Sequence, residues 1–163
     1  FDASKLATLR KLRNLQLQKN FISALTGFSS VQWPHLISID LSRNALSALP
    51  VNFFHLAMSV RIVDLSFNRF GQIPSVALSE QNLPHLTQLN LGTNPLTSLN
   101  QHNSFRLHPS LQELHITGTN LTIITESDFL AFPSLLHLTL SGNTIYRVGD
   151  GTFETLPNLV SLD

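Results

Sequence analysis

Clusters of aliphatic residues recur along this chain at a nearly constant spacing, each followed by a polar stretch. Residues 135–145 read LLHLTLSGNTI, with aliphatic residues at the first, fourth, sixth and eleventh places and Asn143 at the ninth. The alternation between the fourth and sixth places predicts a short β-strand whose Leu138 and Leu140 side chains point to the same side. Because this pattern recurs throughout the sequence, we interpret the chain as a repeat protein.

The repeats divide the chain into coils of nearly equal length. Their first places are separated by 24, 24, 26, 25, 24 and 24 residues, at Leu12, Leu36, Val60, Leu86, Leu111, Leu135 and Leu159. In the first six coils every fourth and sixth place holds Leu, Ile or Val. Such a repeat cannot bury its apolar side alone, so we expect the coils to stack with these residues as a continuous core.

An asparagine follows the core pair in most coils and predicts a ladder of side-chain amides. The ladder residues are Asn20, Asn44, Asn68, Asn94 and Asn143, with Thr119 at the same place in the fifth coil. An amide has two donors with which to bond the backbone of adjacent turns, whereas a hydroxyl has one. We therefore predict a looser ladder at Thr119 and a gain in stability on Thr119→Asn.

Proline and phenylalanine mark the return segments between strands. Pro34, Pro84, Pro109, Pro133 and Pro157 each stand two places before a first aliphatic residue, where extended geometry suits the start of a strand. An aromatic column is predicted from the phenylalanines six places before that residue, which are Phe54, Phe105, Phe129 and Phe153. The longer third coil predicts a bulge around residues 75–82.

Together these features predict an α/β-type solenoid of about six full coils, with a parallel sheet on one face and irregular or 3₁₀ structure opposite. The bulkier return side predicts that the sheet is concave. We expect a single array over residues 1–163. The partial coils at Phe1 and at residues 159–163 predict an uncapped fragment of a longer solenoid.

Composition narrows the classes of function. Ten basic and ten acidic side chains give a formal net charge of zero, so we expect no nucleic-acid partner. No apolar stretch approaches the ~20 residues of a transmembrane helix, and we expect no membrane insertion by this segment. The absence of cysteine excludes disulfides and thiolate chemistry within these residues, and no cofactor is expected.

The repeat resembles that of the leucine-rich repeat proteins over essentially the whole chain. The 24-residue step, the Leu49-Pro50 turn and the Phe-x-x-Leu-Pro-x-Leu return at residues 153–159 are similar to the typical animal extracellular subclass. This resemblance implies a horseshoe that binds through its concave face, as in Toll-like receptors, chaoptin-like adhesion proteins and slit-like guidance proteins. It implies an extracellular or cell-surface location, although the lack of cysteine caps leaves a cytoplasmic one open.

The outward-facing residues near the strands are the candidates for ligand binding. The strand columns are mostly small and polar and contain few of the Trp, Tyr and Arg side chains that dominate protein interfaces, which argues mildly against a strong hot spot. The candidate residues on the concave face are Arg13, Gln16, Asp40, Arg43, Arg61, Asp64, Phe67, Glu113, His115 and His137.

Asp40 and Asp64 are expected side by side in neighbouring strands. Paired carboxylates can bind a cation or share a proton. The favoured interpretation is structural, with Arg43 and Arg61 near enough to compensate the charge, since calcium needs more oxygen ligands than two carboxylates supply.

Glu113, His115 and His137 form a second group across two adjacent strands. A hydrogen-bonded or charged patch is the favoured interpretation, and the alternative is a metal site or a group that titrates near neutral pH. No metal is assigned.

The sequence contains no pattern typical of catalysis, because the exposed serines lack a nucleophile elbow and no Gly-rich phosphate loop is present. We expect no enzyme activity. Asn120-Leu121-Thr122 is a glycosylation sequon, and the Asn120 side chain is expected to face solvent.

These observations favour a protein-binding module in the ectodomain of a cell-surface receptor or adhesion protein, with a protein ligand or a second copy as partner. The alternatives are an intracellular scaffold or regulator built on the same repeat, and a structural spacer within a longer array.

Overall fold

The computed structural model describes residues 1–28, 31–99 and 108–163. Seven parallel strands form one sheet in the order β1-β2-β3-β4-β5-β7-β9. They are β1 (Asn14–Gln16), β2 (Ser38–Asp40), β3 (Ile62–Asp64), β4 (Gln88–Asn90), β5 (Glu113–His115), β7 (His137–Thr139) and β9 (Ser161–Leu162). A second, two-stranded sheet pairs β6 (Ile123–Ile124) with β8 (Arg147–Val148). Short 3₁₀ segments cover Ala3–Leu6 and Glu126–Asp128.

The register of the large sheet follows the spacing of the repeats. Leu15 pairs with Ile39, Ile39 with Val63, and Val63 with Leu89. The same column continues through Leu114 and Leu138. Every residue in it is buried, and the flanking residues of each strand are at least partly exposed. The steps of 24 to 26 residues are therefore the steps of the stack.

The core is one continuous cluster that runs through the stacked coils. Leu41, Leu65, Leu91 and Ile116, at the sixth places, are fully buried. Full burial of such a side chain stabilises the fold by about 1.5–3 kcal/mol before the cost in entropy. The apolar pattern thus fixes which face of each coil turns inward.

Asparagine amides join neighbouring coils just beyond the strands. The Asn68 Nδ2 group donates to Leu41 O at 2.9 Å in the preceding coil and to Leu65 O at 3.0 Å in its own. Its Oδ1 accepts from Leu46 N at 3.0 Å. The Asn44 and Asn94 side chains make the same three bonds, two to the preceding coil and one within their own. Each complete rung therefore satisfies backbone groups of two coils at once.

The rung at Thr119 differs because its side chain has no amide donors. The Thr119 hydroxyl donates to Asn143 Oδ1 at 2.5 Å, and Thr119 N donates to the same oxygen at 2.9 Å. Leu96 N donates to Asn94 O of its own coil at 2.8 Å, whereas the equivalent amides of the first three coils donate to Oδ1 of the next ladder asparagine. Fewer bonds therefore cross between the fourth and fifth coils.

The residue before each ladder position has a left-handed backbone. Gly118 and Gly142 have φ of 64° and 69°, but Lys19, Arg43, Phe67 and Thr93 have φ of 53° to 57°. This conformation costs a residue with a Cβ about 1–2 kcal/mol. The first four coils thus accept backbone strain at a place where the last two use glycine.

The return side is filled by aromatic rings. The Phe28 and Phe53 centroids lie 4.1 Å apart, those of Phe53 and Phe54 lie 4.5 Å apart, and Phe129 stacks on Phe153 at 6.0 Å. Phe105, also predicted in this column, lies outside the described residues. In the third coil Glu80 holds this place, and the nearby Leu78 is buried, with its N–H donating to Pro74 O at 3.1 Å.

His108 is only 1% exposed, although it lies in a segment without helix or strand. Burial lowers the pKa of its imidazole, and this effect is opposed by a hydrogen bond with the Leu78 backbone and by the charge of Glu80. The segment before the fifth coil therefore packs inward at this residue.

Candidate functional site

The outward-facing polar residues of the sheet form a row of side chains fixed by local hydrogen bonds. Gln16 pairs in register with Asp40, Asp40 with Asp64, and Asp64 with Asn90. Asp40 Oδ1 accepts from Ser42 N at 2.9 Å, and Asp64 Oδ1 accepts from Ser66 N at 2.8 Å. Each carboxylate therefore supports the turn that follows its own strand.

Asn90 links this row further, because its Nδ2 donates to Asp64 Oδ2 at 3.2 Å. Its own Oδ1 accepts from Gly92 N at 3.0 Å, as the carboxylates do from the equivalent amides. The recurrence of one bond in three successive coils supports the structural interpretation of Asp40 and Asp64.

The expected compensation of these carboxylates by Arg43 and Arg61 is not observed. In the part of the chain that the structure describes, neither arginine forms an ion pair with Asp40 or Asp64. The Arg43 guanidinium lies instead 3.9 Å from the centre of the Phe67 ring. Arg43 and Phe67 occupy the left-handed place that follows β2 and β3, at the carboxyl edge of the sheet.

The Arg43 and Phe67 pair forms an exposed cation-π contact at the carboxyl edge of the sheet. Phe67 is 42% exposed, so much of its ring is available to a ligand. Arginine and aromatic side chains are enriched among residues that dominate binding energy. The sequence included both residues among the candidates but missed their contact. The signal for this contact in the sequence is that Arg43 and Phe67 hold the same place in two adjacent coils.

Glu113, His115 and His137 lie together on β5 and β7. His115 Nε2 is 3.6 Å from Glu113 Oε2, and His115 Nδ1 is 2.8 Å from Thr139 Oγ1. Glu113 is in register with His137. Within residues 1–28, 31–99 and 108–163, no group of three His, Cys, Asp or Glu side chains is arranged to hold a metal ion. The arrangement is that of a hydrogen-bonded polar patch.

Arg13 and Arg61 lie at the opposite edge of the sheet, directly before β1 and β3. They line an open cleft of about 330 Å³ together with His35, His85 and three uncharged residues. We call this site, formed by Arg13, His35, Arg61 and His85, the cationic cleft. His35 and His85 were not among the candidate residues that the sequence indicated. Their shared place, one residue before a coil's first aliphatic position, is the signal that unites them.

Asn120 is exposed and directly follows the Thr119 rung, on the segment that leaves the sheet. Its backbone amide donates to Leu96 O at 2.9 Å, which fixes the local chain. None of the helices in the described ranges has the length and apolar character needed to cross a bilayer.

Comparison with known proteins identifies the repeat. A sequence profile described as Leucine rich repeat matches residues 10–70 and 109–163. Chaoptin of Drosophila melanogaster is 32% identical over 98 residues, which are 60% of this chain and 7% of chaoptin. Toll-like receptor 2 type-2 of Gallus gallus is 32% identical in an alignment of 111 positions that covers 58% of this chain and 14% of the receptor. The matches therefore span only a small part of these relatives.

A solved structure shares the architecture. The crystal structure of a TLR13-ssRNA13 complex aligns with a TM-score of 0.80 and 27% identity, over 98% of this chain and 26% of that one. The predicted solenoid with its parallel sheet of stacked coils is confirmed, as is the resemblance to an animal extracellular subclass. Similarity to this recognition family also agrees with the expectation that the chain is not an enzyme. With a family profile that covers most of its length, the chain belongs to the leucine-rich repeat family.

Proposed function

We propose that the chain is a protein-binding segment of a cell-surface receptor or adhesion protein. The observation that carries this proposal is the exposed Arg43 and Phe67 pair, in which the Arg43 guanidinium carbon lies 3.9 Å from the centre of the Phe67 ring. A cation-π contact at an exposed site contributes about 0.5–1 kcal/mol, which orders two long side chains before a ligand arrives. Such preorganisation reduces the entropy that binding must overcome.

The surrounding surface suits a protein ligand of mixed polarity. Asp40 and Asp64 are held by backbone amides in the same two coils, so their positions are also set before binding. Ile62, 39% exposed, faces outward from β3. A surface that combines apolar and cationic side chains with carboxylates held in position has the composition expected of a specific protein interface.

Similarity to a protein named Toll-like receptor and to chaoptin supports the placement in a receptor or adhesion protein. The TLR13 structure is a complex with single-stranded RNA, so the fold itself admits nucleic acid, and the expectation that nucleic acid is not a partner stays a prediction. An extracellular protein ligand is favoured here because the same coils present the Arg43 and Phe67 pair and the positioned carboxylates of Asp40 and Asp64.

A binding screen tests the proposal. The chain, displayed in multivalent form, is measured against a panel of cell-surface ectodomains that includes the chain itself. Arg43→Ala and Phe67→Ala should each weaken any specific interaction at least tenfold. Phe21→Ala is the matched control, because Phe21 is 100% exposed and lies away from the strands. No binding to any member of the panel, or binding unaffected by either substitution, would contradict the proposal.

A glycan on Asn120 would support passage through the secretory pathway. We expect the chain expressed in animal secretory cells to carry a sugar that endoglycosidase removes and that Asn120→Gln prevents. Full-length secretion with no mass difference between the two forms counts against this assignment.

A further inference from the structure

We infer that the cationic cleft is a second binding site, which takes an extended anionic polysaccharide. Arg13 and Arg61 line the cleft with His35 and His85, and none of its lining residues is acidic. All four side chains are exposed. The cleft is separate from the Arg43 and Phe67 pair, since it lies where the strands begin and the pair lies where they end.

Within the described residues, neither Arg13 nor Arg61 forms an ion pair with a carboxylate. The pair of basic and acidic side chains that these residues do contain, His115 with Glu113, lies four coils away from Arg13. Arginine guanidinium groups bind oxyanions through two parallel N–H donors. Two such groups left without a carboxylate at the wall of a cleft are suited to an anionic ligand.

The charge distribution along the solenoid also supports an anionic ligand. Residues 1–69 contain eight Lys and Arg against three Asp and Glu, whereas residues 70–163 contain two against seven. The zero net charge therefore hides a basic half and an acidic half. A field of this kind steers anions toward the half that holds the cleft.

The basic groups run along the direction in which the coils stack. Ile37 N donates to Arg13 O at 2.7 Å, and Arg61 N donates to Ile37 O at 2.8 Å. The backbones at Arg13 and Arg61 are thus two strand spacings apart, about 10 Å. Lys11 holds the same coil place as His35 and His85. A row of charges along one axis matches a linear polyanion better than a compact anion.

The lining of the cleft favours a polysaccharide over a nucleic acid. Proteins that bind single-stranded nucleic acid use aromatic side chains on which bases stack. The cleft contains no Phe, Tyr or Trp, and its uncharged lining consists of Pro34, Ile37 and Ser59. The Ser59 hydroxyl is already engaged, because it donates to Pro34 O at 2.7 Å. Charged oxyanions are therefore the groups that this site recognises.

Binding of a size-defined sulfated heparin oligosaccharide tests the inference. Affinity is measured by titration calorimetry for the unmodified chain, for Arg13→Gln/Arg61→Gln and for Lys19→Gln/Arg69→Gln. The second pair removes the same charge from the basic half but lies on the other side of the strands. We expect the first pair to weaken binding at least tenfold, and to lower the slope of log affinity against log salt by about two, through the lost release of counterions.

The melting temperature of each variant is measured first, so that a loss of binding is read only from folded protein. Weakening by the control pair as large as that by the cleft pair would show that overall charge drives binding, and the inference would fail. It would also fail if the oligosaccharide did not bind at low salt. Equal or tighter binding of a single-stranded oligonucleotide of the same charge, with the same dependence on Arg13 and Arg61, would replace the polysaccharide with nucleic acid.

Discussion

The incomplete rung at Thr119 yields a quantitative prediction of stability. In a complete rung the asparagine amide donates to a carbonyl of the preceding coil and to one of its own, as Asn94 does to Leu65 O at 3.0 Å and Leu91 O at 2.9 Å. Thr119→Asn should restore the corresponding donors toward Leu91 O and Ile116 O. It should also lose the present hydroxyl bond to Asn143 Oδ1.

The expected gain is therefore about one net hydrogen bond. Such a bond contributes about 0.5–1.5 kcal/mol in a buried setting, and Thr119 is 4% exposed. For a chain of this size about 1 kcal/mol corresponds to a rise in melting temperature of about 2–4 °C. Thermal unfolding followed by far-ultraviolet circular dichroism measures this difference directly.

Two companion variants test the reasoning behind the gain. Asn94→Thr makes the reverse change in the neighbouring coil and should destabilise the protein by about 1–3 kcal/mol, because buried carbonyls lose their donors. Thr119→Val keeps the shape and removes only the hydroxyl, so it should cost about 1 kcal/mol. A melting temperature that falls or stays constant on Thr119→Asn, while Asn94→Thr is destabilising, would refute the account of this rung.

Three further predictions concern the backbone, the core and pH. Thr93→Gly should raise stability by about 0.5 kcal/mol in chemical denaturation, because relief of the left-handed strain exceeds the entropy that glycine adds to the unfolded chain. Leu89→Ala should lower stability by about 2–5 kcal/mol in the same assay, because a fully buried column residue leaves a cavity. Because the pKa of His108 is lowered in the fold, the unfolded chain binds a proton first as pH falls below about 6.5. The melting temperature should therefore decrease from pH 7.5 to 5, and less so in His108→Leu, with the exposed His55→Gln as control. An unchanged free energy of unfolding in Thr93→Gly or Leu89→Ala, or an identical dependence of melting temperature on pH in His108→Leu, would contradict the respective prediction.

The sheet was predictable because its register follows the repeat period, which can be read directly from the sequence. Each central strand residue from Leu15 to Leu138 lies where the repeat places it. The left-handed backbone before the ladder residues could be predicted from the sequence at only some of its places. Gly118 and Gly142 suggest it, but Arg43 and Phe67 do not, since an arginine or phenylalanine carries no local preference for positive φ.

The candidate site was predictable as a set of residues but not as a set of contacts. Arg43 was assigned to the aspartates on sequence proximity, and the turn after β2 directs it to Phe67 instead. The cationic cleft depends on residues of the first and third coils, which meet only through stacking. A charge count taken over each half of the chain, rather than over the whole, would have indicated it.

The left-handed places also bear on how this scaffold can acquire new specificity. Glycine at such a place presents no side chain, so the edge of the fifth and sixth coils is bare at Gly118 and Gly142. In the first four coils the same place carries a side chain, and the backbone there is strained. Two of these side chains, Arg43 and Phe67 in adjacent coils, form the proposed interface. Evolution and engineering alike can therefore extend the recognition surface one coil at a time by exchanging local stability for chemical variety at a single position.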